Sequence, residues 1–295
     1  MTKKIPKSLG THNGSFHADE VTACALLLLF EQIDEDKIFR TRDRELLDQC
    51  EIVCDVGGIY DPKSLRFDHH QKEYAGSLSS AGMVLLHLKE SGILQAKDFN
   101  FFNEALIIGV DAHDNGKDLA PKGVCTYSHI IANYNPIHHD ASNRELDDAF
   151  FEALKFSKNY LLKLWTRRKY IHSCRQQVQT SMKTELRYLV FEKNIPWLDS
   201  FFELGGEEHK ALFVIMPSGE HWKLRGIPPS PEQKMDVRLP FPKHWAGLMG
   251  EELRAISGIE GAIFCHKGRF ISVWETKESA LDALFKLLES EEEDI

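Results

Sequence analysis

The first part of the chain alternates short apolar runs with segments whose apolar residues recur at helical spacing. The runs predict strands at 8–11, 38–41, 51–55 and 65–68, and the helical spacing predicts helices at 18–32, 80–90 and 101–113. Strands that alternate with helices favour an α/β fold with a mainly parallel sheet flanked by helices.

The pattern changes after residue 140. Residues 143–192 contain neither Gly nor Pro and carry apolar residues at helical spacing, which predicts one long helix or two that connect two domains. Alternation then resumes, with strands predicted at 213–216, 222–227, 261–265 and 270–274, and helices at 247–256 and 277–288, the last with Thr276 as N-cap. The predicted domains are residues 1–140, a helical connector at 141–200, a smaller C-terminal α/β domain at 201–290 and an acidic tail at 291–295.

Composition fits a globular protein of two domains, with 295 residues, of which 42% are hydrophobic and 27% charged. No apolar run is long enough to span a bilayer, and no signal peptide is recognisable, so we expect a cytoplasmic protein without membrane contact. The six cysteines form no Cys-x-x-Cys pair, and we expect reduced thiols.

The net charge of −9 limits the partners of the chain. Part of it lies in the acidic tail, yet the rest of the chain is still not basic, which argues against a protein that coats long duplex DNA. A short single strand or a small phosphorylated molecule remains compatible with this charge.

Four polar stretches carry residues suited to chemistry. They lie at 10–20, 55–58, 68–70 and 109–116, and three of them follow predicted strands. Because the carboxyl ends of parallel strands open on a shared crevice, side chains from these stretches can converge.

The converging groups are imidazoles and carboxylates, and this mixture suits manganese, iron, cobalt or zinc, whereas a site made only of carboxylates would favour magnesium. Alone, each residue could equally cap a helix or form a turn. Together they exceed the needs of one open zinc and suit two ions about 4 Å apart that share a carboxylate. The predicted metal ligands are His12, His17, Asp19, Asp55, His69 and Asp111.

At these residues the chain resembles the DHH phosphoesterase superfamily, named for the triplet seen at 68–70. It resembles most closely the melanocyte-proliferating-gene family, nearly from end to end. The resemblance is carried by Gly-Thr-His-Asn-Gly-Ser-Phe-His-Ala-Asp-Glu at 10–20, Thr-Arg-Asp at 41–43, Asp-Val-Gly-Gly at 55–58, Asp-His-His-Gln at 68–71, Ser-Ser-Ala-Gly at 79–82 and Val-Asp-Ala-His-Asp-Asn-Gly at 110–116.

The resemblance implies a metal-dependent phosphodiesterase, with RNA exonuclease activity in the close family, and a DHH-type catalytic domain at 1–140. It implies one ion on His12, His17 and Asp55, and a second on Asp19, Asp55, His69 and Asp111, with Asp55 bridging. It also implies that the catalytic pair is His70, facing the substrate phosphate, and Asp68, orienting a ligand imidazole.

One departure bears on the metal. The wider superfamily has an Asp where this chain has His17, and an imidazole there favours manganese, cobalt or zinc over magnesium. We therefore expect two divalent ions, with manganese the first choice.

A phosphate substrate also needs positively charged side chains, and candidates for this role lie in the C-terminal domain. Lys223 and Arg225 are two residues apart on a predicted strand and therefore share a face, and His266 precedes a glycine turn. We expect this domain to close over the metal crevice and bind phosphates through them, although ordinary solvated strand residues would show the same pattern. His113 and Asn115 complete the predicted substrate-binding set.

The leading functional prediction is an exonuclease for single-stranded RNA or short oligonucleotides that uses metal-activated water. A hydrolase of pyrophosphate or a small nucleotide is an alternative within enzymes. A non-catalytic, metal-stabilised binding protein is an alternative from another class, against which the intact ligand set argues. The sequence leaves an oligomer possible.

Overall fold

A computed structural model of the chain describes residues 3–117, 120–138, 140–184 and 186–293. The chain divides into two compact units, Met1–Trp165 and Thr166–Ile295. The boundary falls inside the long helix Asn143–Met182 rather than in a loop.

The first unit is built on a five-stranded sheet in the order β2-β1-β3-β5-β4. Strands β1, β2, β3 and β5 run parallel, and only the short edge strand β4 is antiparallel to its neighbour. The predicted mainly parallel sheet is therefore confirmed. The strands are Ile5–Thr11 (β1), Ile38–Arg40 (β2), Cys50–Cys54 (β3), Tyr60–Asp61 (β4) and Arg66–Phe67 (β5).

Helices surround this sheet and supply most of the core. Residues Ala18 to Leu27 of the first helix are all buried, which explains why the apolar run in its second half shows no polar face. The helices are Ala18–Leu29 (α1), Arg44–Gln49 (α2), Ser80–Glu90 (α3), Ala96–Phe102 (α4), Ile108–Asp114 (α5), Tyr127–Ala132 (α6) and Asn143–Met182 (α7). A π-helical turn, Asn103–Ile107, joins α4 to α5.

The topology places the candidate site. Because β1, β3 and β5 are parallel, their carboxyl ends lie at one edge of the sheet. His12, Asp55 and Asp68 each follow one of these strands directly.

The second unit has its own five-stranded sheet in the order β6-β7-β8-β10-β9, which is antiparallel except for the parallel pair β6 and β7. The strands predicted at 213–216 and 222–227 pair as an antiparallel hairpin, and the backbone N–H of Ser279 donates to Thr276 Oγ1 at 3.1 Å, as expected for an N-cap. The elements are Tyr188–Val190 (β6), Leu198–Glu203 (α8), Phe213–Ser218 (β7), His221–Gly226 (β8), Gly250–Ser257 (α9), Ala262–Cys265 (β9), Ile271–Trp274 (β10) and Lys277–Glu293 (α10).

The helix predicted to reach residue 192 was too long. Helix α7 ends at Met182, and Tyr188–Val190 pairs with β7 as a strand. The absence of Gly and Pro does not distinguish a helix from a strand at 188–190, because Tyr, Leu and Val occur in both. The strand forms by pairing with β7, which lies more than twenty residues further along the chain.

The structure also bears on the predictions about membrane spans, cysteines and the acidic tail. Over the described ranges, no helix combines the length and apolar character needed to cross a membrane. All six cysteines are free, and five are buried. Helix α10 includes residues 291–293 of the predicted acidic tail, while residues 294 and 295 lie outside the described residues.

Candidate metal centre

A cavity of about 650 Å³ opens at the carboxyl edge of the first sheet. All four polar stretches singled out in the sequence contribute to its wall. The residues that line it are His12, Ser15, His17, Arg42, Asp55, Val56, Gly57, Gly58, Asp68, His70, His113 and Asp114.

His12 enters this cavity from the end of β1 and is nearly buried. Its Nδ1–H donates to the carbonyl of Asn13 at 3.1 Å, so Nε2 is the nitrogen that faces the carboxylates. Nε2 lies 3.0 Å from Glu20 Oε1 and 3.3 Å from Asp55 Oδ2. Burial lowers the pKa of His12, but these two carboxylates outweigh burial and raise the pKa to about 10.

His17 is exposed at the N-cap of α1, and its ring centroid lies 6.3 Å from that of His12. Its backbone N–H donates to both carboxylate oxygens of Glu20 at 3.1 Å. Glu20 is fully buried, so one carboxylate caps the helix and contacts His12 at the same time.

Asp55 lies between the histidines of the site. Its φ of 56° is in the left-handed region, which Asp tolerates better than most residues and which turns the chain sharply at the end of β3. Besides His12, its Oδ1 lies 3.5 Å from His69 Nε2 and 3.3 Å from His70 Nδ1. Burial raises the pKa of Asp55, but the neighbouring imidazoles outweigh burial and lower it to about 2.

His69 faces three carboxylates. Its Nε2 lies 3.0 Å from Asp114 Oδ2 and 3.7 Å from Asp19 Oδ2, in addition to the contact with Asp55. Asp114 makes the largest contribution to the raised pKa of His69, about 10, followed by Asp55. The ring therefore lies where it can serve as a ligand between Asp55 and the carboxylates of α1 and α5.

Asp19 is fully buried and is held by the N-terminus of α3. It accepts hydrogen bonds from Ser79 Oγ at 2.6 Å, Ser80 N at 2.9 Å and Ala81 N at 2.6 Å. Such an arrangement stabilises a negative charge at a helix N-terminus. Burial and the nearby charges of Asp55 and Asp114 nevertheless raise the pKa of Asp19 well above its usual value.

Asp111 shares Ser79 with Asp19. Its Oδ1 accepts from Ser79 N at 3.0 Å and from Ser79 Oγ at 2.7 Å, and burial raises its pKa. Gly82 lies so close that a Cβ added there would come within 2.4 Å of Asp111 Oδ2. Asp111 is thus held against α3, whereas Asp114, one helical turn later, contacts His69 directly.

Asp68 and His70 form a separate pair. Asp68 Oδ1 accepts from the backbone N–H of His70 at 3.0 Å and lies 2.8 Å from His70 Nδ1, while Asp68 Oδ2 accepts from Gly58 N at 2.6 Å. The side chain of His70 is 64% exposed. The resemblance implies that Asp68 orients a metal-bound imidazole. In the structure Asp68 contacts His70, which is the histidine predicted to face the substrate.

These residues fit a divalent metal. Three groups of potential ligands have all their ligand atoms within 4.8 Å of one another: His12, His17 and Glu20; Asp55, His69 and His70; and Asp19, His69 and Asp114. Asp55 Oδ1 and His69 Nε2 are buried and contact other charged groups of the site, yet none of these contacts within the described part of the chain has the geometry of a hydrogen bond. A buried polar atom without a partner costs free energy, and a cation between these two would remove that cost.

The predicted substrate-binding residues fall into two groups. His113 lines the cavity, whereas Asn115 donates from Nδ2 to the carbonyls of Ser77 and Asp111 at 3.1 and 2.8 Å and so supports the local loop.

The other three predicted substrate-binding residues lie in the second unit. Lys223 and Arg225 share one face of β8, where burial lowers the pKa of both, and Lys223 donates to Asn194 Oδ1 at 3.0 Å. His266 accepts from Gly268 N through Nδ1 and packs on Phe270, so it closes the β9–β10 turn. Their contact with substrate stays a prediction.

Three residues of the site were not singled out by the sequence. Glu20 and Asp114 stand inside stretches that we marked, but their positions three residues after His17 and Asp111 are also those of ordinary capping and surface residues. Arg42 lines the cavity from the Thr-Arg-Asp motif, to which the pattern alone assigned no chemistry.

Comparison with known proteins identifies the family of the chain. A family model described as "Uncharacterised protein family (UPF0160)", MYG1_exonuc, matches residues 8–286. The chain is 50% identical over 281 residues to the MYG1 protein of Chlamydia pneumoniae, covering 95% of this chain and 96% of that protein. It is 49% identical over 288 residues to the MYG1 protein of Chlamydia trachomatis, covering 98% and 99%.

The chain is also similar to proteins from animals, at lower identity. The chain is 32% identical over 320 residues to the human MYG1 exonuclease, covering 94% of this chain and 84% of that protein. Among solved structures, RecJ in complex with Mn²⁺ from Thermus thermophilus aligns with 98% of this chain and 52% of its own, at 12% identity and a TM-score of 0.29. A similarity that weak carries no argument about this chain.

Proposed function

This chain belongs to the MYG1 exonuclease family, UPF0160, and we propose that it is a two-metal phosphodiesterase that shortens single-stranded RNA or other short oligonucleotides. One observation carries the proposal. Imidazoles and carboxylates from four separate stretches meet at one cavity, and two of their buried atoms, Asp55 Oδ1 and His69 Nε2, make no hydrogen bond of good geometry among the described residues. Structural stability alone gives no reason for such a cluster.

The proposed ligands follow the family resemblance and the geometry together. His12, His17 and Asp55 would hold one ion, and Asp19, Asp55, His69 and Asp111 the other. The contacts of Glu20 with His12 and of Asp114 with His69 add these two carboxylates as ligands or as groups that hold the imidazoles. When bound, such ions lower the pKa of water toward neutrality and stabilise charge on phosphoryl oxygens.

The chain's own residues prepare the site before substrate arrives. Ser79, Ser80 and Ala81 hold Asp19 by three hydrogen bonds, and Asn13 fixes the ring of His12 so that Nε2 faces the carboxylates. Ligands held in this way lose little freedom when a cation binds.

His70 is the proposed catalytic residue at the open side of the cavity. Because its Nδ1 is engaged by Asp68, Nε2 is the nitrogen that a substrate phosphate or leaving oxygen can reach. A protonated Nε2 would donate to a phosphoryl oxygen, or give its proton to the leaving oxygen, which then departs as a hydroxyl group. Asp68 keeps the ring in this orientation.

Manganese and RNA are the finer parts of the proposal. Mixed imidazole and carboxylate ligands suit manganese. The net charge of −9 disfavours long duplex nucleic acid, and a cavity of about 650 Å³ accommodates a nucleotide rather than a duplex. The human relative is named an exonuclease, which supports a nucleic-acid substrate here.

The test is manganese-dependent turnover of a short end-labelled single-stranded RNA, beside pyrophosphate and a dinucleotide. Asp55→Asn keeps the shape of the side chain and removes its charge, and Asp48→Asn makes the same change at an exposed position of α2. We expect stepwise shortening in the wild type and in Asp48→Asn, and none in Asp55→Asn. Turnover of pyrophosphate alone would replace the nuclease proposal, and two bound metals with no turnover of any substrate would favour a binding protein.

A further inference from the structure

Arg42 stands out because it is the one Lys or Arg among the described residues that line the metal cavity. The other ionisable groups of the wall are carboxylates and imidazoles, among them Asp55, Asp68 and Asp114. Carboxylates repel a phosphate substrate, and the bound cations offset that repulsion only where they are coordinated. A positively charged side chain on the wall would therefore attract the substrate phosphate where the metal ions do not reach it.

The backbone on either side of Arg42 is fixed. The N–H of Thr41 donates to the carbonyl of Thr11 at 2.7 Å, which extends the pairing of β1 with β2 by one residue. The N–H of Asp43 donates to Thr41 Oγ1 at 3.0 Å, and Asp43 Oδ1 in turn caps α2 by accepting from Glu45 N at 2.9 Å. The Thr-Arg-Asp motif thus holds the Arg42 backbone between a strand and a helix.

The neighbouring arginine has the opposite environment. Arg40, two residues earlier, is buried, binds Asp147 and the carbonyl of Gly14, and packs on Phe150. Arg42 is exposed and forms no ion pair within the described part of the chain. Its guanidinium is therefore not committed to holding the fold together.

We propose that Arg42 binds a phosphate group of the substrate inside the metal cavity, an inference that rests on the proposed function. A guanidinium presents two parallel N–H donors that match two oxygens of one phosphate. Arg42 therefore places the nucleotide relative to the metal ligands at the ends of β1 and β3. Phosphate recognition begins in the catalytic unit itself, and does not depend on Lys223 or Arg225.

The experiment compares Arg42→Gln and Arg42→Lys with Arg44→Gln. Arg44 is also exposed, lies two residues away and is absent from the cavity wall, so its variant controls for the loss of one positive charge. We expect the KM for a short RNA to rise about 10- to 100-fold in Arg42→Gln, the range for losing a charge-assisted hydrogen bond. Arg42→Lys should recover part of the loss, since Lys keeps the charge but not the paired donors. Manganese content should stay that of the wild type.

Competition by inorganic phosphate adds a readout that a purely structural role would not move. We expect the inhibition constant to rise in Arg42→Gln and to stay unchanged in Arg44→Gln. A dinucleotide, which has one phosphodiester, shows which phosphate Arg42 contacts. If Arg42→Gln raises the KM for the dinucleotide, Arg42 contacts the reacting phosphate. If it raises the KM only for longer RNA, Arg42 contacts an adjacent phosphate. Wild-type KM and phosphate inhibition in Arg42→Gln would overturn the inference.

The two proposals fail in different ways. If the wild type turns over none of the substrates with manganese, the proposed function fails before Arg42 is tested. If the wild type is active and Asp55→Asn is not, the proposed function survives, and the Arg42 variants alone decide the inference.

Discussion

Gly82→Ala measures how firmly the protein holds Asp111. The added Cβ would lie 2.4 Å from Asp111 Oδ2 and 2.6 Å from Oδ1, closer than side-chain carbons approach other atoms. Backbone of α3 and buried neighbours surround the position, so the carboxylate has to move. Its movement breaks the bonds from Ser79 N and Ser79 Oγ.

Two opposing effects set the magnitude. Alanine in a helix is favoured over glycine by up to about 1 kcal/mol. Each hydrogen bond to a charged group contributes about 1.5–3 kcal/mol, so the loss of both bonds costs about 3–6 kcal/mol. We expect Gly82→Ala to lower the free energy of unfolding by about 2–5 kcal/mol, the opposite sign from the usual effect of this substitution in a helix.

Urea unfolding of the metal-free protein is the assay, and Gly109→Ala is the matched control. Gly109 is exposed on α5, and a Cβ added there meets nothing within 4 Å. That variant should be more stable than the wild type by about 0.5–1 kcal/mol. If Gly82→Ala is as stable as Gly109→Ala, Asp111 is not held in the way described here.

Three further predictions concern the site and its support. Arg40→Ala removes a buried guanidinium that binds the carbonyl of Gly14 and packs on Phe150, besides its ion pair with the half-exposed Asp147, and should destabilise the protein by about 2–3 kcal/mol in urea unfolding; an unchanged midpoint would contradict this. Asp55→Asn should weaken manganese binding more than about 100-fold in titration calorimetry, and wild-type affinity would exclude Asp55 as a ligand. Because the pKa values of His12 and His69 are raised to about 10, their contribution to the stability of the metal-free protein is complete below pH 6.5 and is lost as the pH rises through about 10. Manganese binding at pH 8 should therefore release protons, measured by calorimetry in buffers of different ionisation enthalpy, and no release would show that both rings are already neutral.

The fold could be predicted because strand order and handedness leave few choices. Alternating strands and helices imply a parallel sheet, and a parallel sheet brings the residues after β1, β3 and β5 to one edge. His12, Asp55 and Asp68 could therefore be placed together without any knowledge of side-chain positions. Location in the cytoplasm, oligomeric state and closure of the C-terminal domain stay predictions.

The choice among neighbouring carboxylates could not be predicted. Asp111 and Asp114 are three residues apart and lie on the same side of α5, so the helical period favours both equally. The difference arises from α3, where Ser79 and the space left by Gly82 hold Asp111, while Asp114 remains near His69. Likewise, Arg40 and Arg42 look alike in the sequence, and only the packing of α7 against Arg40 separates their roles.

The position of Ser79 has a consequence for charge. Its hydroxyl has one proton but lies within hydrogen-bond distance of both Asp19 and Asp111. When that proton points to one carboxylate, the other can keep its contact only by carrying a proton of its own, which agrees with the raised pKa of both acids. A cation held by Asp19 and Asp111 would displace that extra proton, and the hydroxyl would then donate to one of the two carboxylates. One serine thereby links the protonation of an acid on α1 to that of an acid on α5, so the two acids titrate as a pair rather than independently.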